Sequence, residues 1–186
     1  MASLPSTHFA PATAGTRATG TAYGITVSRD ASARLATGWL VLGIAALVGS
    51  GVFSLLLVLA RTPGLKDLFP VADFFQVALV AHVDLSVLVW FLAFAGVLWS
   101  LACDSRAIAL GWAALALCAA GTLALCLAPL AGSATPVLAN YIPVIDNTVF
   151  TGGLAAIGAG VALAAARTFW AARASGPALD GEAALR

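Results

Sequence analysis

Charge is scarce in this chain. Of its 186 residues, nine are Lys or Arg and eight are Asp or Glu, together 9% of the sequence, against about a quarter in a soluble domain. Acid and base nearly cancel, leaving a formal net charge of +1. No basic face is concentrated enough to hold nucleic acid, so that class of partner is not expected. The short motifs that carry much enzyme chemistry are missing as well: there is no Gly-rich phosphate loop, no HExxH, no CxxC, and no Ser or Cys nucleophile set beside a base. Histidine is limited to His8 and His82, and cysteine to Cys103, Cys118 and Cys126. Cys118 and Cys126 fall eight positions apart on one expected helix, roughly 12 Å along its axis and too far to bridge. The cysteines read as small apolar packing residues.

What the chain has in abundance is apolar sequence. Hydrophobic residues make up 61% of it and the mean hydropathy is +1.00, the profile of an integral membrane protein. A run of about 20 apolar residues is long enough to cross a bilayer as a helix. Four runs qualify, spanning approximately residues 35–60, 74–103, 107–130 and 148–170. The expected fold is all-α, a membrane four-helix bundle over residues 35–172. It is preceded by a flexible polar tail, 1–34, and followed by a short tail, 173–186. The N-terminal tail lacks the apolar core of a signal peptide, and its scarcity of acids resembles an organellar transit peptide. The segment from Leu65 to Asp73 reads as a short connection, with a re-entrant turn as one option. Pro136, Tyr141, Pro143 and Asp146 mark an interfacial loop before the last span. Trp39, near the start of the first span, suits the aromatic belt at a membrane interface.

An even number of crossings puts both ends on one side. Arg17, Arg29, Arg34, Arg106, Arg167, Arg173 and Arg186 lie on that side, whereas the opposite connections carry only Arg61 and Lys66. Basic residues near span ends favour the cytoplasm, so both termini are expected there. The second span then starts outside, with His82 about eight residues, roughly 12 Å, below its outer end.

An ionisable residue inside a span is costly and asks for a partner or a function. A neutral imidazole at His82 could bond a carbonyl on another helix, pack in the core, relay a proton, or ligate a metal or heme iron. Its helix face also carries Phe75, Ala78, Leu79, Ser86 and Val89, mostly small or flat side chains. Asp84 lies about 200° around the helix from His82 and cannot orient its ring from the same face. It is expected to pair with a polar group on another helix or to handle protons. In the fourth span, Gly152, Ala156 and Gly160 recur every four residues, a row that lets helices approach closely in lipid.

The string HVDLSVLVWFLAFAGVLWSL, preceded by FPVADFFQVALVA, resembles the second transmembrane helix of subunit I of the heme-copper oxidase superfamily, which includes cytochrome c oxidases and nitric oxide reductases. ANYIPVIDNTVFTGGL also fits that family's early helices. The likeness extends over roughly residues 32–172, the first third of such a subunit. It implies that His82 gives one axial bond to a low-spin heme, of b-type or a related kind, in respiratory electron transfer. The family's second heme ligand, its copper-binding histidines and its active-site tyrosine belong to later helices, so no copper ligands are expected in this sequence. The resemblance therefore implies a split or truncated subunit. Other membrane subunits of a respiratory complex would be its partners, one of them supplying the second heme ligand. The implied location is the bacterial inner membrane, or alternatively the mitochondrial one. The competing expectation is a structural or assembly subunit that packs through the small-residue row of its fourth span.

Overall fold

A computed structural model describes residues 31–64, 74–103, 105–131, 135–138 and 142–174. Five α-helices make up four spans: α1 (Ala31–Arg61), α2 (Phe74–Val83) with α3 (Trp90–Ala102), α4 (Ile108–Leu127) and α5 (Thr148–Ala174). Four helical stretches, of 31, 29, 23 and 24 residues, are long and apolar enough to cross a membrane, which marks the chain as a membrane protein. Large apolar side chains point outward along them. Val48, Leu55, Phe91 and Phe169 are each more than 60% exposed, a surface suited to lipid and not to water.

Leu, Ala and Val propagate α1 without a proline until Arg61, where Thr62, Pro63 and Gly64 end it and Gly64 takes a φ of +82°. The Arg61 guanidinium then lies 3.8 Å from the centre of the Phe75 ring, which ties the end of α1 to the start of α2. The expected reading of residues 65–73 lies outside the described residues, as do the polar tail through residue 30 and the tail from 175 onward.

The second span is not one uniform α-helix. Asp84–Val89 form a π-helical turn between α2 and α3, where each backbone bond reaches one residue further than in an α-helix. The connection into α5 also differs from the expected plain loop. Thr135–Val137 (β1) pair antiparallel with Val144–Asp146 (β2), in the register Thr135 to Asp146 and Val137 to Val144. All-α therefore describes the spans, while a two-stranded clip joins the last two. Asn147 closes the clip by capping α5. Its Oδ1 accepts from the Phe150 amide at 2.7 Å and its Nδ2 donates to the Ala128 carbonyl at 3.1 Å. The start of α5 is thereby tied to the 3-10 turn Ala128–Leu130 that ends α4.

Packing rests on glycines facing large side chains. A Cβ at Gly96 would fall onto the Trp39 indole, one at Gly43 would lie 3.0 Å from the Trp90 ring, and one at Gly111 would strike Leu35. Trp39 is consequently 2% exposed, which corrects its assignment to the aromatic belt. Gly96 opens a slot that the indole fills in the interior, a larger apolar gain than a place at the interface offers. The closest helix pair is α4 with α5. There a Cβ at Gly121 would meet the Gly153 carbonyl at 2.6 Å, and one at Gly160 would meet the Ala114 carbonyl at 2.7 Å.

Candidate functional site

His82 is the penultimate residue of α2, with Val83 between it and the π turn, and it faces the middle of α1. Its Nδ1 lies 3.0 Å from the Ser50 carbonyl oxygen and 2.9 Å from the Ser50 hydroxyl. A carbonyl can only accept, so Nδ1 carries the ring proton and donates it to Ser50. The Ser50 hydroxyl in turn donates to the His82 carbonyl at 3.0 Å, and the Ser86 hydroxyl donates to the same carbonyl at 2.8 Å. A π turn shifts the amide register by one residue. Two hydroxyls meet the carbonyl at that point.

The consequence falls on the other ring nitrogen. In a neutral imidazole protonated at Nδ1, Nε2 keeps its lone pair, and it makes no hydrogen bond among the described residues. The ring is half-buried and held on one side by a main-chain carbonyl. This is the arrangement in which a histidine offers Nε2 to a metal while its far N–H fixes the tautomer and the ring orientation. As donor chemistry it fits one axial bond to a heme iron. Among the described residues no group of three or more His, Cys, Asp or Glu could hold a metal ion by itself.

Asp84 is 1% exposed, and its Oδ2 has no hydrogen-bond partner among the described residues. It lines a groove of about 220 Å³ with Val87, Leu88, Phe91 and Ile142. His82 faces Ser50 while Asp84 faces this groove, so the two do not share a site.

The small-residue row divides. Gly160 lies in the α4–α5 contact, whereas a Cβ at Gly152 would meet nothing within 4 Å, and Ala156 is half-buried. The face that meets α4 runs through Gly153, Ile157 and Gly160, one position out of phase with the expected row at its start. Two features of the site escaped the sequence reading. One is the π turn. The other is Ser50, a hydroxyl between Gly49 and Gly51 in an otherwise apolar stretch of α1, whose position deep in a span was its available signal.

No protein-family model matches the chain, and no solved structure matches it. It is similar to an uncharacterized protein of Rickettsia prowazekii (strain Madrid E), 34% identical over 150 residues that cover 67% of this chain and 29% of the relative. It is also similar to an uncharacterized protein of Aquifex aeolicus (strain VF5), 35% identical over 125 residues, covering 67% of this chain and 31% of the relative. The chain thus spans less than a third of the length of either relative.

Proposed function

We propose that this protein is a membrane subunit for electron transfer, in which His82 gives one axial bond through Nε2 to a heme iron. Residues outside this sequence supply the rest of the site. The observation that carries the reading is the ring geometry: Nδ1–H is pinned to the Ser50 carbonyl, and Nε2 is left without a hydrogen-bond partner among the described residues. A bound heme would supply one-electron redox chemistry, and the chain would contribute ligand, orientation and burial. Ser50 would set which nitrogen faces the iron and how the plane of the imidazole is turned. The resemblance of the second span to a heme-copper oxidase helix supports a respiratory complex of cytochrome c oxidase type.

The distribution of Arg and Lys supports a topology with both termini in the cytoplasm, and the bacterial sources of the two relatives support the inner membrane as the location. The test is a reduced-minus-oxidised spectrum of the protein purified from native membrane with whatever travels with it. A low-spin heme band is expected in the parent and absent in His82→Ala. A complex free of heme, or an unchanged band in the variant, overturns the reading.

One observation favours a second reading. The Ser50–His82 bonds join α1 to α2 in both directions, as a purely structural interhelical contact would. If the protein is a non-catalytic structural or assembly subunit, His82→Gln assembles normally in a complex that contains no heme of its own. Under the heme reading the same variant assembles poorly or loses the band.

A further inference from the structure

A carboxylate buried in a membrane span without a hydrogen-bond donor is costly, and such groups are kept where a partner completes them. Asp84 is in that position. Both of its neighbours in the π turn are apolar or bonded elsewhere: Leu85 is fully buried, and Ser86 donates back to the His82 carbonyl. The groove beside Asp84 is apolar apart from Asp84 itself, walled by Val87, Phe91 and Ile142. Water is a poor occupant, because a buried water needs two to four polar partners and these walls offer one. Lipid tails carry no donor. Asp84 also lies ten residues into the span, about 15 Å along its axis, deeper than a headgroup sits. Beyond the groove the same side of α3 continues toward its C-terminal end through Phe91, Phe94, Leu98 and Leu101, all at least 44% exposed. Their alternating spacing of three and four is that of a seam against another helix.

We propose that this face is the docking site for a transmembrane helix of a partner polypeptide, one that carries a Lys, Arg, Asn or Gln side chain into the groove to donate to Asp84. The seam supplies apolar contact and the carboxylate sets depth and register. The proposal goes beyond the heme reading and stands without it, since Asp84 and His82 face different ways.

The test places a photo-crosslinking amino acid at Phe91, and as a control at the exposed Val58 of α1, in native membranes. The position-91 adduct is expected to be a peptide from an apolar run long enough to span the bilayer and containing such a donor, whereas position 58 yields lipid. Asp84→Leu should reduce the position-91 adduct at least tenfold and leave position 58 unchanged. Replacing the partner's donor by Leu should do the same, and His82→Ala should leave the adduct in place. The purified full chain bearing Asp84→Leu should melt no lower than the parent, because the carboxylate has no partner to lose. Lipid alone at position 91, an adduct to another copy of this chain, an adduct unaffected by Asp84→Leu, or a lower melting temperature overturns the proposal.

Discussion

His82 and Ser50 hold each other by their main chains. The imidazole of the first donates to the carbonyl of the second, and the hydroxyl of the second donates to the carbonyl of the first. Ser50→Ala removes one of these bonds and keeps the other, because the ring bonds a carbonyl that every residue has. Interhelical hydrogen bonds in lipid average about 0.6 kcal/mol, so the variant should lose roughly that much in a detergent unfolding titration. Under the proposed function its heme band should persist. Loss of the band with the fold intact would show that the hydroxyl, and not the carbonyl, sets the ring.

Asn147 performs two tasks with one amide, capping α5 and gripping the end of α4. Asn147→Ala should cost about 1 kcal/mol for the cap and about 1 kcal/mol more for the lost bond to the Ala128 carbonyl, which keeps its bond from the Ala131 amide. Asn147→Asp keeps the cap acceptor and loses the donor, so it should recover about half. Amide hydrogen exchange at residues 148–151 reports the fraying directly. Equal exchange in all three proteins would mean that the β1–β2 clip alone holds the helix start.

The spans were legible in the sequence because a bilayer imposes length and composition on anything that crosses it, and residues 74–103 meet both demands. The place of His82 along its helix was legible for the same reason, since the helix begins at Phe74 as the apolar run does. The phase of packing was not. Gly152 and Gly153 are adjacent in a segment dense in small residues, and what selects Gly153 is Gly121 on α4, 32 positions away. Trp39 shows the same limit: its place near a span end suits the interface, and only the slot at Gly96 draws it inside. The π turn left no compositional trace, since Asp-Leu-Ser-Val-Leu-Val would serve equally in an α-helix. The Ser86 hydroxyl bonds back to the His82 carbonyl there, but Ser100 and Thr122 make the same kind of bond within plain α-helix, so that bond alone was no signal either.

That packing phase makes a paired prediction on α5. Gly160→Ala places a methyl against the backbone of Ala114 and Cys118, which cannot move aside, whereas Gly158→Ala places one in open space. The first should destabilise by about 1–3 kcal/mol as an overpacked contact. The second should be neutral or slightly stabilising, by up to about 1 kcal/mol, since alanine is the better helix former. Thermal unfolding in detergent distinguishes them. Similar melting temperatures would mean that α4 and α5 do not pack as closely as described.

The π turn contributes one residue more than α-helical continuity would need between His82 and Gly96, and that residue fixes the phase between two contacts on α1. Ahead of the turn His82 must meet Ser50; after it Gly96 must meet Trp39. Deleting Val87, which is exposed, would let the segment relax to an α-helix still long enough to span. It would also rotate one contact about 100° relative to the other. The variant should therefore insert into the membrane normally and lose one contact, the one with less buried area, which is His82 against Ser50. The expected signature is a stable span with tryptophan fluorescence close to the parent and no heme band. A deletion that leaves the His82 environment unchanged, by NMR of the labelled imidazole, would show that the turn is a tolerated irregularity and not the element that aims the ring.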